Sequence, residues 1–198
     1  MKKNELSYEI LNGLPAYGEM YVPIHEGQFS EGLVVKFVKK NGSEWIANFE
    51  SGKTNLEFVA EIKNSNEIIV IANGICYFIN KEIKQSIKTL ENYFRRDFQS
   101  VFEFENKFVL VGSRSVAIVE HSEKIKYFDN LCSDFINGER LENKSLIGTL
   151  NSFNGENYTK TDFFLNLNTF EFKEMNNRKQ YIKEKNNKTK LKKWWKIW

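Results

Sequence analysis

Residues 68–79 have the sequence IIVIANGICYFI, and this stretch decides the fold class. It contains two short apolar runs, Ile68–Ala72 and Ile75–Ile79, which are rich in the β-branched and aromatic residues that favour strands. Between them, Asn73-Gly74 is the dipeptide that two-residue hairpin turns prefer. The first run is apolar at every position, which is typical of a strand buried on both faces. The stretch therefore predicts an antiparallel hairpin at the centre of a β-structure.

A second hairpin is predicted closer to the N-terminus. The runs Leu33–Val38 and Glu44–Phe49 flank Asn41-Gly42, another strong hairpin signal. Side chains alternate between the two faces of a strand, so each run presents one mainly apolar face. The residues predicted to share these faces are Leu33, Val35 and Phe37 in the first run and Trp45, Ala47 and Phe49 in the second.

Strand-rich blocks recur along the chain. Two more follow at Val101–Val119 and Ser145–Phe172, and Glu61–Asn64 resembles Glu103–Asn106 about 40 residues later. Repeats of that length are typical of propeller blades, although the Gly-His and Trp-Asp pairs of known blades are not repeated here. We therefore expect an antiparallel meander or sandwich, with propeller-like repeats as the alternative.

Two segments have helical spacing instead. Glu5–Leu11 has apolar residues four apart and is followed by Asn12-Gly13, a typical helix stop. A second apolar stripe recurs at steps of three and four residues, as on one face of an amphipathic helix. Its members are Ile83, Ile87, Leu90, Phe94 and Phe98. The complete expectation is a mainly β fold with one short N-terminal helix and one middle helix.

Length and composition suit a soluble globular protein. The chain has 198 residues, of which 41% are hydrophobic and 15% aromatic, so it can bury a core and wholesale disorder is excluded. Two cysteines exclude a disulfide scaffold, and no apolar run approaches the roughly 18 residues of a membrane-spanning helix. No apolar stretch follows Lys2-Lys3, so we expect no export signal and a cytoplasmic location.

The formal net charge of +3 is distributed unevenly along the chain. Residues 176–198 hold nine basic residues and one acidic residue, a net charge of +8, whereas residues 1–175 hold 20 basic and 25 acidic residues, a net charge of −5. We therefore expect a β-rich globular domain over residues 1–175 and a basic, Trp-rich C-terminal tail over residues 176–198. The two parts favour partners of opposite charge.

Few residues suggest catalysis. Ala47–Thr54 fits a relaxed phosphate-loop pattern, but such a loop needs several closely approaching backbone amides, and this segment has one glycine and follows a predicted hairpin strand. The two histidines, His25 and His121, and the two cysteines, Cys76 and Cys132, show no metal-ligand spacing. The sequence therefore predicts no catalytic residue, no cofactor and no metal site.

The tail has the most distinctive chemistry, because three of the four tryptophans lie in its final five residues. A segment that combines lysine and tryptophan can dock on the acidic body or on a protein partner, or lie at an anionic membrane surface. It can also stack with single-stranded nucleic acid, which we favour least. The predicted contact residues are Leu191, Lys192, Lys193, Trp194, Trp195, Lys196 and Trp198.

The body of the chain resembles a group of small uncharacterised bacterial proteins over residues 8–172. The segments that carry this resemblance are Gly13–Gly18, Glu31–Phe37, Trp45–Phe49 with Gly52, and Val70–Gly74 with Tyr77. The group has no established activity, so the resemblance implies no site residues. In their size and in the idiosyncrasy of their sequences, such proteins are similar to the immunity proteins encoded beside bacterial polymorphic toxins.

The leading hypothesis is a non-catalytic protein-binding module, in its specific form an immunity protein, or antitoxin, that neutralises a bacterial toxin by binding. Many nuclease toxins are basic, and an acidic body would steer such a partner. Two alternatives remain open from the sequence. One is a peripheral membrane protein anchored by the tail, and the other is an enzyme on an unfamiliar β scaffold.

Overall fold

The computed structural model describes residues 7–15, 21–24, 31–90 and 98–175. Within these ranges the chain folds into sixteen strands, which form four sheets of four strands each. Sheet 1 contains β1 (Tyr8–Leu11), β2 (Tyr21–Ile24), β3 (Leu33–Val38) and β4 (Glu44–Phe49). Sheet 2 contains β5 (Phe58–Glu61), β6 (Glu67–Ala72), β7 (Ile75–Asn80) and β8 (Gln85–Leu90). Sheet 3 contains β9 (Phe98–Phe104), β10 (Lys107–Gly112), β11 (Val116–His121) and β12 (Lys124–Phe128). Sheet 4 contains β13 (Phe135–Glu142), β14 (Ser145–Phe153), β15 (Tyr158–Asn166) and β16 (Phe172–Met175).

Sheets 2, 3 and 4 share one plan. In each, four consecutive strands lie side by side in chain order and are joined by short turns. The second strand of these sheets begins at Glu67, Lys107 and Ser145, which are steps of 40 and 38 residues. The predicted mainly β composition and the recurrence near 40 residues are therefore confirmed.

Sheet 1 differs from this plan because its strands do not lie in chain order and because β2 pairs parallel. Its strand order is β1-β3-β4-β2, and β2 pairs parallel with β4, with Tyr21 opposite Ile46. Pro23 lies within β2, where its missing amide hydrogen is tolerated because β2 is an edge strand of the sheet.

Both predicted hairpins are present. Asn73 and Gly74 have φ angles of 47° and 98°, so both central residues occupy the left-handed region that a two-residue hairpin turn requires. The hairpin at Asn41-Gly42 closes through a longer loop, in which Gly42 has a φ of 81° and its amide donates to the Lys39 carbonyl at 2.9 Å. Local turn chemistry therefore determines these connections, as the sequence indicates.

The chain divides into two compact units, one of residues 1–112 and 116–127, the other of residues 113–115 and 128–198. In the first unit, alternation along β6 assigns its faces to two cores. Val70 packs in a core with sheet 1 residues such as Phe37, whereas Ile69 packs in a second core with sheet 3 residues such as Leu110. Sheet 2 is therefore buried between sheets 1 and 3. This double burial explains why residues 68–72 are apolar at every position.

The predicted N-terminal helix is wrong. Residues Tyr8–Leu11 form β1, which pairs antiparallel with β3, and Tyr8 lies opposite Phe37. The Tyr8 hydroxyl donates to the Val59 carbonyl at 2.7 Å, which ties this strand to sheet 2. A segment with so few apolar residues takes its conformation from the sheet edge that it covers, because tertiary pairing outweighs a weak local helical pattern.

The predicted middle helix is also wrong. Gln85–Leu90 forms β8 at the edge of sheet 2, and Phe98 begins β9. Ile83 and Ile87, which the helical stripe would bury, are 56% and 44% exposed. Lys84 has a φ of 58°, so a tight turn returns the chain beside β7 where the helix was expected to start. The remaining stripe residue, Phe94, lies outside the described residues.

Sheet 4, in the second unit, has two unlike faces. One face carries buried apolar side chains: Ile136, Leu146, Leu150, Phe163 and Leu165. Gly148 lies opposite Phe163 and leaves room for that ring, because a Cβ atom at Gly148 would come within 2.7 Å of it. The register of β13, β14 and β15 places mostly polar residues on the other face, which we call the polar face of sheet 4.

Candidate functional site

The contact residues predicted in the tail, Leu191, Lys192, Lys193, Trp194, Trp195, Lys196 and Trp198, lie outside the described residues. The same holds for His25. The contact role of the tail therefore stays a prediction from the sequence.

The segment that resembles a phosphate loop has a structural role. The Gly52 amide donates to the Ala72 carbonyl at 3.0 Å, and the Thr54 amide donates to the Asn73 carbonyl at 2.9 Å. The Thr54 hydroxyl donates to the Phe98 carbonyl at 2.8 Å. The two amides fasten the connection after β4 to the turn between β6 and β7, and the hydroxyl fastens it to the start of β9, so these donors are not directed at a phosphate.

Both cysteines are poor nucleophiles. Cys76 is fully buried in the core between sheets 2 and 3, and desolvation raises the pKa of its thiol. Cys132 is half-buried, and desolvation is also the largest cause that raises its thiol pKa. The reactive form of cysteine is the thiolate, so both residues are held in the less reactive state at neutral pH.

Two charged clusters in the first unit fasten sheets together. Glu67 accepts hydrogen bonds from the Ser122 amide at 2.9 Å and the Ser122 hydroxyl at 2.7 Å. Lys88 donates to the Ser122 carbonyl at 3.1 Å, so the amide, the hydroxyl and the carbonyl of this buried serine all have charged partners. Ser122 directly follows β11 while Glu67 begins β6, and the cluster therefore ties sheet 3 to sheet 2.

Glu61 plays the equivalent role between sheets 1 and 2. Its carboxylate accepts from the Ser7 hydroxyl and forms an ion pair with Lys81 at 3.2 Å. The Ser7 hydrogen bond is the largest cause and lowers the pKa of Glu61; desolvation is the next largest and opposes it, and Lys81 lowers the pKa further. His121 lies at the end of β11, where its Nδ1 accepts from the Glu123 amide at 3.4 Å.

An exposed aromatic cluster lies at one end of the polar face of sheet 4. Phe135, Phe153 and Tyr158 are 45%, 42% and 73% exposed. Phe153 and Tyr158 lie opposite each other in the β14–β15 register, with ring centroids 4.7 Å apart. Phe135 lies opposite Asn151, which places it diagonally beside Phe153 on the same face. We call these three residues the aromatic corner.

Backbone and side-chain hydrogen bonds fix the strands that carry the aromatic corner. The Phe153 amide donates to the Ser133 hydroxyl at 2.9 Å, and the Ser133 amide donates to the Ser152 hydroxyl at 3.0 Å. In the turn before Tyr158, the Asn154 side chain accepts from the Glu156 and Asn157 amides at 3.1 and 2.8 Å. The aromatic rings therefore project from a backbone that is already ordered.

A polar network lies behind the aromatic corner on the same face. Asn151 is 3% exposed, and its amide nitrogen donates to the Phe135 carbonyl at 3.1 Å and to the Asn137 side chain at 3.2 Å. The Thr149 hydroxyl donates to Asp162 at 2.9 Å. Nearby in the chain, the Oδ2 atom of Asp134 is buried and accepts no hydrogen bond from any residue that the structure describes. Asn137 is exposed and Asp162 is half-buried, so these two side chains are the acceptors of the network that a partner can reach.

Sequence reasoning did not single out the aromatic corner. The segment Phe153–Tyr158 places aromatic residues on both sides of Asn154-Gly155, which is a hairpin signal with an aromatic cross-strand pair. That signal predicts the cross-strand pair. It does not show whether the pair is exposed, because burial depends on which face of the sheet is covered.

Comparisons with known proteins assign the chain to no family. No family model matches the chain, and no curated protein matches it. Within residues 7–15, 21–24, 31–90 and 98–175, no group of three or more His, Cys, Asp or Glu residues is placed to hold a metal ion. The same ranges contain no helix with the length and apolar character to span a membrane.

Proposed function

We propose that this chain is a non-catalytic protein-binding module that recognises its partner through the aromatic corner of sheet 4. The observation that carries the proposal is the exposure of three aromatic side chains together on one face. Exposed aromatic residues are the anchors of protein interfaces, because they bury a large area and lose few torsional degrees of freedom on binding.

The surroundings of the corner support a protein partner. The hydrogen bonds of Ser133 and Asn154 hold the strand ends before binding, and such preorganisation lowers the entropic cost of association. The side chains of Asn137 and Asp162 supply acceptors beside the apolar centre. An apolar centre with a polar margin is the usual anatomy of a specific interface.

The net negative charge of the body supports a basic protein as the partner. Residues 1–175 have a net charge of −5. The second unit contributes to this excess, since residues 113–115 and 128–175 hold eight acidic and five basic residues. Complementary charge accelerates encounter with a basic protein. Neutralisation of a basic bacterial toxin by an immunity protein is the specific form of the proposal that fits this charge.

The test compares the full chain with the double variant Phe153→Ala/Tyr158→Ala and with the control variant Tyr21→Ala. Tyr21 is 42% exposed but lies in sheet 1, so it matches the exposure without belonging to the corner. A protein that the wild type captures from host lysate is identified, produced as recombinant protein and titrated against all three chains. The double variant should bind at least about 30-fold more weakly, as expected for two interface anchors.

Equal affinity of the double variant and the wild type would remove the aromatic corner as the recognition surface. The immunity form has a separate readout. Coexpression of the wild type with the identified partner should restore bacterial growth if that partner is toxic. Growth that the double variant restores as well as the wild type would contradict recognition through this surface.

A further inference from the structure

The last described strand leads the chain toward the aromatic corner. β16 pairs antiparallel with β15, and Met175 lies opposite Asp162. β15 continues four residues beyond Asp162 to Tyr158, a distance of about 13 Å along the strand. Within the described residues, no strand pairs with the outer side of Tyr158–Thr161. At Met175 the described chain therefore ends beside a strand edge, Tyr158–Thr161, that leads to the corner.

The residues that follow Met175 are basic and rich in tryptophan, and they therefore complement the acidic and aromatic residues of this surface. They carry a net charge of +8, opposite to the acidic excess of residues 113–115 and 128–175. Their final eight residues, Leu191–Trp198, hold three tryptophans and three lysines. Tryptophan can stack on Phe153 and Tyr158, and lysine can donate to carboxylates such as Asp162.

The intervening residues are numerous enough to allow this contact. Residues 176–190 number fifteen and could span up to about 50 Å if fully extended. This reach exceeds the distance of about 13 Å from the end of β16 to Tyr158. Covalent attachment also keeps the segment at a high effective concentration, so a weak contact would be well populated.

We infer that Leu191–Trp198 occupies the aromatic corner of its own chain when no partner is bound. The tryptophans lie against Phe153 and Tyr158 in this arrangement, and a partner must displace them. The inference rests on the proposed function for the identity of the surface. It adds a regulatory element, because the segment competes with the partner and only a ligand that binds more tightly can replace it.

The first test measures tryptophan exposure in the full chain without partner. The chain has four tryptophans, and Trp45 is 4% exposed in the core of sheet 1, so acrylamide quenching reports mainly on the other three. Phe153→Ala/Tyr158→Ala should raise quenching toward that of a synthetic 191–198 peptide, whereas Tyr21→Ala should leave it unchanged. Wild-type quenching equal to that of the peptide would overturn the inference.

The second test keeps the inference falsifiable if the double variant is misfolded. A photoreactive p-benzoylphenylalanine replaces Tyr158 in the full chain, and mass spectrometry locates its cross-links. Cross-links to Leu191–Trp198 within one chain support the inference. In a mixture of ¹⁴N- and ¹⁵N-labelled protein, cross-links only between copies would assign the surface to a second copy and overturn it.

The remaining outcomes separate this inference from the proposed function. If the tryptophans become protected only when anionic phospholipid vesicles are added, the segment binds membranes and the inference fails. If the segment never contacts Tyr158 and the partner still requires Phe153 and Tyr158, the inference fails while the proposed function holds. If both are correct, Trp194→Ala/Trp195→Ala in the full chain should tighten partner binding, since the competitor is removed.

Discussion

Sheet 2 and sheet 4 are built on the same four-strand plan but differ in what their faces carry. In sheet 2, β6 and β7 bury side chains on both faces, in cores shared with sheets 1 and 3. In sheet 4, one face is apolar and buried, while the other holds the Asn151 network and the aromatic corner. The two sheets share a backbone topology but differ in the chemistry of their faces: both faces of sheet 2 contribute to cores, whereas one face of sheet 4 exposes the aromatic side chains that we propose for recognition.

The largest effect is expected where sheet 2 is buried on both sides. Phe78 is fully buried in the core between sheets 2 and 3. Phe78→Ala should lower the free energy of unfolding by about 3–5 kcal/mol, because it removes a large apolar side chain and leaves a cavity. Urea unfolding followed by circular dichroism measures the change. A loss of less than about 1 kcal/mol would contradict the double burial of sheet 2.

A smaller effect is expected at the polar brace between sheets 2 and 3. Ser122 is 2% exposed, and its hydroxyl donates to Glu67 at 2.7 Å. Ser122→Ala removes this donor beside a carboxylate that stays in place, so the free energy of unfolding should fall by about 1–3 kcal/mol. Ser65→Ala is the control, since Ser65 forms its side-chain hydrogen bonds within the β5–β6 turn. Equal losses from both variants would show that Ser122 does not brace the two sheets.

The Glu61 carboxylate, which accepts from Ser7 beside sheet 1 and pairs with Lys81 at the end of β7, should contribute a pH-dependent effect. The pKa of Glu61 is lowered from its ordinary value of 4.5, first by the Ser7 hydrogen bond and then by Lys81. Its stabilisation is therefore present above pH 4.5 and is lost as the pH falls through the lowered value in the folded protein. The Glu61 side chain is 50% exposed, so Glu61→Gln should cost no more than about 1 kcal/mol at pH 7.

The pH dependence of the Glu61 contribution is measured by comparing the wild type with Glu61→Gln. Urea unfolding of the wild type and of Glu61→Gln is repeated from pH 7 down to pH 3. The difference between the two chains should shrink as the pH falls, because the wild-type carboxylate becomes protonated. A difference that stays constant over this range would show that the charge of Glu61 does not contribute to stability.

The central hairpins of sheets 1 and 2, β3–β4 and β6–β7, could be predicted because their sequence pattern and their turns agree. Asn73-Gly74 supplies the positive φ angles that its turn needs, and the flanking runs are apolar at the buried positions. The middle helix was predicted wrongly because Ile83 and Ile87 fit a helical stripe although both are exposed in the strand arrangement. A spacing of four residues does not reveal whether an edge of a sheet is available to pair with the segment.

The candidate site could be predicted less well than the fold. The exposure of Phe153 and Tyr158 depends on the register of β14 and β15 and on which face of sheet 4 is covered. Both are tertiary properties, so an aromatic pair beside a turn has the same sequence whether it is buried or exposed. The tail, in contrast, was recognised directly from its charge and its tryptophans, because composition alone makes it distinct.

The smallest effect on stability is expected at the aromatic corner. Tyr158 is 73% exposed, and its ring contacts Phe153 across the hairpin. Tyr158→Ala should therefore lower the free energy of unfolding by only about 0.5 kcal/mol, the contribution of an exposed cross-strand pair. Urea unfolding beside Phe78→Ala gives the direct contrast between the two sheets. A small stability loss together with a large loss of partner affinity would show that this ring serves recognition, because a residue retained for folding would show the opposite ratio.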